Sequence, residues 1–132
     1  MTEEIRIGDF VRYSDGIITK VNNQNEADID NYFLKETKII TKHSKNILDL
    51  IEDEDIVVLE YKTPRYRARI QRKFIVSKID DFINFENRYC DFTYKVGDKK
   101  IVDKVCKNIK IKQILTAEQF NTRCYRLEDT NV

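Results

Sequence analysis

Acidic, basic and apolar residues are sorted into separate segments in the middle of the chain, and this sorting constrains the fold more than any other feature. Residues 46–60 include six acidic side chains and no basic one, whereas residues 61–79 include seven basic side chains and no acidic one. The apolar run 56–59 has the length of a short buried strand. Pro64, the only proline, separates this run from a second candidate strand. The segment therefore predicts two antiparallel strands with the proline between them.

Side chains that follow Pro64 alternate between apolar and basic. One set consists of Tyr66, Ala68, Ile70 and Phe74, and the other consists of Arg65, Arg67, Arg69, Gln71 and Lys73. Because successive side chains of a strand point to opposite faces, the alternation predicts an apolar face backed by a basic face. Arg72 is the exception on the apolar side.

The sorted charges supply the candidate binding residues, for either a protein or a nucleic acid. The basic candidates are Lys62, Arg65, Arg67, Arg69 and Lys73, and the acidic candidates are Glu52, Asp53, Glu54 and Asp55. A structural alternative stays open, in which residues 52–55 pair with residues 65–73 across the hairpin. Exposed pairs of this kind contribute only about 0–1 kcal/mol each, and the surface would then say nothing about a partner.

Composition restricts the class of protein. A chain of 132 residues is most simply one domain, residues 1–132. The charges nearly cancel to a net +1, which argues against a generic polycation that coats nucleic acid and against a strongly acidic mimic of DNA. The sequence shows no signal-peptide pattern and no apolar run of membrane-spanning length, so we expect a cytoplasmic protein that does not bind a membrane.

Turn chemistry near the start of the chain predicts a hairpin. Asp15 and Gly16 lie between the strand-forming segments 10–13 and 17–21, and Gly16 can adopt a positive φ. A glycine–aspartate bend at residues 8–9 leads into this hairpin, as in many small SH3-like barrels. We therefore expect a mainly β fold of the α+β type, either a small antiparallel SH3-like barrel or a sheet, with one or two short helices.

Weaker patterns assign the segments that follow the hairpin. The polar, asparagine-rich residues 22–30 predict a loop, and residues 29–34 and 38–41 predict two short strands, with a helical turn as the alternative for the first. Ser44 is a candidate cap for one or two helical turns within residues 44–51.

The second half of the chain combines aromatic clustering with lysine-rich segments. Residues 79–91 predict an irregular or helical piece, and Phe92 and Tyr94 predict a strand after it. The rings predict a core contribution, with stacking on nucleobases as the alternative if they are exposed. Residues 109–113 predict a half-buried strand with a lysine face, which is a solvated edge strand in its simplest interpretation.

The C-terminal pattern predicts a helix followed by a strand. Residues 116–119 form a capping box, Thr-Ala-Glu-Gln, so we expect a short helix to about residue 122 that buries Phe120. Residues 124–127 then predict a last strand.

Candidate catalytic and metal-binding residues are scarce. Cys90, Cys106 and Cys124 are widely spaced and form no Cys-x-x-Cys pair, which favours free thiols over a metal or redox site. The single histidine, His43, lies between lysines that oppose a cation, and no nucleophile is close to it in sequence. We therefore expect no enzyme, no cofactor and no metal; Mg²⁺ bound by Asp53 and Asp55 is a distant alternative.

An internal similarity links two strand entries. Residues 7–11 and 53–57 both place an aspartate directly before two strand-forming apolar residues. We interpret them as two entries into one sheet, with two related modules as the alternative.

Three segments resemble a family of small uncharacterised proteins encoded in phages and prophages of low-GC Gram-positive bacteria. They are Ile-Gly-Asp-Phe-Val-Arg at 7–12 with Asp-Gly at 15–16, Lys-His-Ser-Lys-Asn-Ile-Leu-Asp-Leu-Ile at 42–51, and Ile-Leu-Thr-Ala-Glu-Gln-Phe at 114–120. In that family the middle segment usually leads into a glycine–aspartate bend, where this chain has Glu54 and Asp55. The resemblance implies a phage accessory protein, a class that includes anti-CRISPR and other anti-defence proteins.

These observations lead to two functional hypotheses. The first is an inhibitor of a bacterial defence system, of the anti-CRISPR type, that binds and blocks a nuclease complex in the host cytoplasm; its partner would be a defence protein or a ribonucleoprotein. Charge sorting would then supply specificity and association rate. The alternative is a small nucleic-acid-binding β domain that uses the basic 62–73 strand.

Overall fold

Two antiparallel sheets and short helices make up the fold. The computed structural model describes residues 3–36, 39–65 and 68–123. The elements are β1 Phe10–Tyr13, β2 Ile18–Lys20, α1 Gln24–Leu34, β3 Ile40–Ser44, a 3₁₀ helix at Ile47–Leu50, β4 Ile56–Lys62, β5 Ile70–Ile79, β6 Phe82–Glu86, β7 Asp91–Lys95, β8 Lys107–Leu115 and α2 Ala117–Arg123. The strand orders are β2-β1-β3 and β7-β6-β5-β4-β8. The mainly β, α+β prediction is confirmed.

The predicted hairpin supplies the central strand β1 and the edge strand β2 of the first sheet. Tyr13 donates its backbone N–H to the Ile17 carbonyl (2.9 Å), and Gly16 turns the chain with a φ of 89°. The hairpin prediction is therefore correct. However, β1 and β4 lie in different sheets, so the hairpin and the 56–74 strand pair do not form one antiparallel sheet.

Helix α1 packs on the first sheet and replaces the predicted loop at 22–30 and the predicted strand at 29–34, for which the alternative of a helical turn is correct. Asn23 caps the helix, because its side chain accepts a hydrogen bond from the Glu26 N–H (2.9 Å). Only Ala27 and Asp30 are fully buried on α1. The apolar periodicity that identifies most helices is consequently weak in this segment.

Strand β3 and the 3₁₀ helix lie close to where they were predicted. The strand expected at 38–41 begins at Ile40 and continues to Ser44. The helical segment expected within 44–51 is the 3₁₀ helix, and its cap is Asn46 rather than Ser44, because the Asn46 side chain accepts from the Leu48 N–H (3.0 Å).

The core lies on one face of the second sheet. It includes Val57, Leu59 and Tyr61 of β4, Phe74 and Val76 of β5, Ile83 and Phe85 of β6, and Phe92 and Tyr94 of β7. Leu48, Ile51 and Ile101 close this core from outside the sheet. The strand at Phe92 and Tyr94 is thus confirmed. The expectation of a helical piece at 79–91 is wrong, because Ile83 and Phe85 alternate into the core as strand residues.

Strand β5 begins later than the alternation predicted. Tyr61 pairs with Ile70, so residues 63–69, which include Pro64, connect β4 to β5. Ala68 is exposed outside the strand, and Tyr66 and Arg67 lie outside the described residues. Arg65 and Arg69 therefore do not share a strand face with Lys73, which corrects the predicted basic strand. The predicted parity holds from Ile70 onward.

The two similar sequence segments form the same turn in different sheets. Asp9 donates its N–H to the Arg6 carbonyl (3.0 Å) and accepts the Arg6 N–H on its carboxylate (3.0 Å); Asp55 does the same with Glu52 (3.2 and 2.8 Å). Val21 and Val76 then pair with their respective turns through equivalent hydrogen bonds of 2.8–2.9 Å. The interpretation as two entries into one sheet is wrong, because the turns lead into β1 and β4 of different sheets, and the alternative of two related modules stays a hypothesis.

The bend at Glu54 preserves the backbone of its glycine counterpart. Gly8 has a φ of 94° and Glu54 a φ of 72°. A residue with a Cβ is disfavoured by about 1–2 kcal/mol in this left-handed region. Glu54, at the position equivalent to Gly8, therefore introduces local strain without changing the turn.

Helix α2 begins with the predicted capping box. The Thr116 hydroxyl accepts from the Gln119 N–H (3.3 Å), and the Gln119 side chain accepts from the Thr116 N–H (3.1 Å). Phe120 is 45% exposed, so the prediction of its burial is wrong. The strand expected at 124–127 lies outside the described residues. In the described part of the chain, no helix has the length and apolar character needed to cross a membrane.

Candidate binding surface

A buried ion pair joins the two sheets and removes Asp55 from the candidate surface. Arg12 of β1 is 1% exposed and Asp55 is fully buried. The guanidinium donates to both Asp55 carboxylate oxygens (2.6 and 3.0 Å), to the Leu50 carbonyl (2.8 Å) and to Glu118 Oε1 (2.8 Å). Burial opposes the charge on Arg12, but these partners raise its pKa overall. Asp55 is thus a structural residue that a partner cannot reach.

The other acidic candidates lie beside the sheet end and pair with different bases from those expected. Glu52 forms ion pairs with Lys42 and, at 3.7 Å, with Lys78. Asp53 accepts the Lys78 backbone N–H (3.0 Å), and Glu54 is exposed in the turn. Residues 52–55 therefore do not pair with residues 65–73 where both are described. In the same part of the chain, no group of three or more His, Cys, Asp or Glu side chains is placed to hold a metal.

The face of the second sheet opposite its core is open, and we call it the outer face. The strand register assigns to it Lys107, Lys110 and Gln113 of β8, Ile56, Val58, Glu60 and Lys62 of β4, Gln71, Lys73, Ile75, Ser77 and Ile79 of β5, Phe82, Asn84 and Glu86 of β6, and Asp91, Thr93 and Lys95 of β7. The β5 part of this face is open at Ile75 and Ile79, which are 61% and 58% exposed, whereas Glu60 of β4 is only 8% exposed.

An apolar strip, interrupted by Ser77, runs along the outer face. Ile75 and Ile79 point outward from β5, and Phe82 of β6 pairs directly across from Ile79. Phe82 is 45% exposed. The strip is bordered by Glu86 beside Ile75 and by Lys95 beside Phe82. Exposed aliphatic and aromatic side chains that adjoin charges of both signs are typical of a protein-binding patch.

A basic row occupies the neighbouring part of the outer face, and we define it as Lys62, Lys73, Lys107 and Lys110. Lys62 pairs directly across from Lys107, and Lys110 lies across from Glu60. Within the described residues, none of the four lysines has a carboxylate oxygen within 4.0 Å of its Nζ. These cations are therefore available to an anionic partner.

Glu60 is the carboxylate inside the basic row, but it is committed to other groups. It accepts hydrogen bonds from Arg69 Nη1 and Gln71 Nε2, both at 2.8 Å. Arg69 and then Gln71 lower the pKa of Glu60, so the carboxylate stays charged. Arg69 is thereby neutralised locally, while Arg65 is exposed in the turn after β4.

Of the five basic residues predicted as a binding set, the structure brings together only some. Lys62 and Lys73 lie on the outer face, Arg69 reaches it through Glu60, Arg65 lies apart, and Arg67 lies outside the described residues. Lys107 and Lys110 were not among the predicted site residues. The lysine content of β8 was a visible signal, but the pairing of β8 with β4 was not.

His43 lies in β3 of the first sheet, whereas Cys90 and Cys106 lie next to strands of the second sheet. Cys90 and Cys106 are free thiols in half-buried positions, and Cys124 lies outside the described residues. Burial raises the pKa of Cys106, which favours the protonated thiol. His43 Nδ1 lies 3.7 Å from the buried Asp9 carboxylate, which Lys45 also approaches to 3.2 Å.

Comparisons with protein-family models, with curated proteins and with solved structures found no match to this chain.

Proposed function

We propose that this protein inhibits a bacterial defence complex by binding it through the outer face, without chemistry of its own. The observation that carries the proposal is the exposed strip of Ile75, Ile79 and Phe82 on a rigid sheet. A specific interface needs an apolar centre that excludes water and a polar rim that fixes orientation. The strip and its bordering charges supply both on one open surface.

The class of target follows from the family resemblance rather than from the surface itself. Segments 7–12, 42–51 and 114–120 resemble phage-encoded proteins, and such proteins meet host defence nucleases in the bacterial cytoplasm. An inhibitor that acts by occlusion needs a stable scaffold and a complementary surface. The buried Arg12–Asp55 pair, at the junction of the sheets, stabilises the scaffold away from the proposed surface.

The proposal is tested by protection of phage or plasmid in bacteria that carry one defence system at a time, including CRISPR nucleases. We expect the wild-type protein to restore infection against one system. The Ile75→Ser, Ile79→Ser, Phe82→Ser variant should lose this protection while remaining folded.

A matched control removes exposed apolar side chains elsewhere. Ile29 and Tyr32 of α1 are 47% and 65% exposed, and the Ile29→Ser, Tyr32→Ser variant should protect as well as the wild type. Absence of protection against every system, or equal protection by the folded strip variant, would overturn the proposal.

A further inference from the structure

A β-bulge places Lys107 on the outer face. Glu60 pairs with Lys110 and Lys62 pairs with Lys107, so β8 has one more residue than β4 between these pairs. Asn108, within this interval, has a φ of 54°. In a regular strand Lys107 and Lys110 would point to opposite faces, because their separation is odd. The bulge re-aims Lys107 so that it lies beside Lys62.

This placement is unfavourable unless an anion is present. Directly opposed residues on neighbouring strands have Cβ atoms about 5 Å apart, and like charges at that spacing repel each other. The left-handed backbone of Asn108 adds a second cost at the same position. Glu60 does not offset the repulsion, because it is occupied by Arg69 and Gln71. Local strain and uncompensated charge together indicate a ligand site.

We propose that the basic row binds the phosphate backbone of a nucleic acid. The row lies on β8, β4 and β5, about 10 Å across the strands, and it extends about 13 Å along them, because Lys73 pairs with Val58, four residues from Lys62. It therefore fits a chain of successive charges better than one small anion. Lysines act as point charges on flexible stems and engage phosphates without the fixed geometry that arginine requires. This ligand class goes beyond the proposed inhibition, which rests on the apolar strip.

The positive region continues around the free edge of β8. A cleft of about 500 Å³ there is lined by Lys107 and Lys110 of the row, by Lys100 and by one acidic residue, Asp103. A backbone that follows the basic row would therefore meet one further cation, Lys100, at the sheet edge. The centre of the site is the β4–β8 pair, rather than the 62–73 strand expected from the sequence.

The test is fluorescence anisotropy with labelled single-stranded RNA, single-stranded DNA and duplex DNA of mixed sequence, titrated at several salt concentrations. Each phosphate contact contributes about 0.9 to the slope of log K against log salt for a duplex and about 0.7 for a single strand. We expect the Lys62→Gln, Lys107→Gln, Lys110→Gln variant to lose about 2 to 3 units of that slope and most of its affinity. The three probes identify which form of nucleic acid is preferred.

The control variant carries the same change in net charge elsewhere on the surface. Arg6, Lys20 and Lys35 are exposed and lie outside the outer face. Arg6→Gln, Lys20→Gln, Lys35→Gln should retain most of the slope and the affinity. Equal losses in both variants, no binding by the wild type at low salt, or equally tight binding of polyglutamate would overturn the proposal. The Ile75→Ser, Ile79→Ser, Phe82→Ser variant of the protection assay should still bind nucleic acid. A loss of protection in that variant then cannot be due to a loss of nucleic-acid binding, so each proposal can fail without the other.

Discussion

The contact between Arg12 and Asp55 predicts a large loss of stability when the arginine alone is removed. Arg12→Met keeps most of the buried volume but leaves the Asp55 carboxylate without its cation at a fully buried position. Removing one partner of a buried pair costs about 3–5 kcal/mol. A domain of this size is stable by about 5–15 kcal/mol, so the variant should remain folded only with a much reduced margin.

The charge, rather than the lost contacts, should account for most of this cost. Asp55 also accepts the backbone N–H groups of Glu52 and Ala117, each at 2.8 Å. Asp55→Asn in the Arg12→Met background removes the stranded charge and keeps one carbonyl acceptor. We therefore expect the double variant to be more stable than Arg12→Met by about 1 kcal/mol or more, because an uncompensated buried charge costs more than one backbone N–H left without an acceptor.

Urea unfolding followed by circular dichroism measures these differences, with the slope m reporting whether both sheets unfold together. Lys42→Gln is the control, because Lys42 and its partner Glu52 are both more than one third exposed. It should cost only about 0–1 kcal/mol. An Arg12→Met variant that loses no more than Lys42→Gln, or a double variant less stable than the single one, would refute the argument that the pair joins the sheets.

Three further predictions follow from the backbone and from titration. Gly16→Ala should strongly lower the free energy of unfolding measured in urea, because a Cβ there would overlap the Thr116 hydroxyl and lie 2.9 Å from Glu118 Cβ. Gly97→Ala is the control: a Cβ at Gly97 would have no such neighbour within 4 Å, so it should cost only about 1–2 kcal/mol for the left-handed backbone. Asn108→Gly should stabilise the protein by about 1 kcal/mol and leave nucleic-acid affinity unchanged; a loss of affinity would show that the asparagine side chain itself contacts the ligand. Burial opposes the charge on Asp9, but the Arg6 N–H and Lys45 lower its pKa overall. The charged Asp9 therefore contributes to the free energy of unfolding above its ordinary pKa of 3.8, and this contribution is lost as the pH falls through the lower pKa of the folded protein. Asp9→Asn should flatten this acid dependence in a pH series of unfolding curves.

Local signals identified the elements that local interactions determine. The hairpin at Asp15 and Gly16 and the capping box at Thr116 were predictable because each depends on residues within a few positions of one another. Helix α1 was not predicted, because its own local signals are weak. Its cap, Asn23, lies in an asparagine-rich segment typical of loops, and its face toward the sheet buries few side chains.

The candidate surface could be predicted only in part, because strand pairing decides which charges meet. The basic content of 62–73 and of β8 is visible in the sequence, but Lys62 and Lys107 are 45 positions apart and their pairing depends on the sheet order. The bulge at Asn108 then reverses the face on which Lys107 lies, and no turn signal marks it. Asp55 shows the opposite case: it lies in an acidic run that was predicted to bind a partner, but its side chain is fully buried.

The equivalence of the two strand entries explains why Asp55 is buried while its sequence neighbours are exposed. In both turns the aspartate carboxylate closes the bend by accepting an N–H three residues earlier, so the residue is fixed inward by the turn itself. At Asp9 the remaining carboxylate capacity faces His43 and Lys45, near the surface. At Asp55 it faces Arg12 of the other sheet. The same local turn therefore forms a simple strand entry in the first sheet and the contact between the sheets in the second. Because Asp55 binds Arg12 away from the outer face, Glu60–Arg69 is the one ion pair on that face among the described residues.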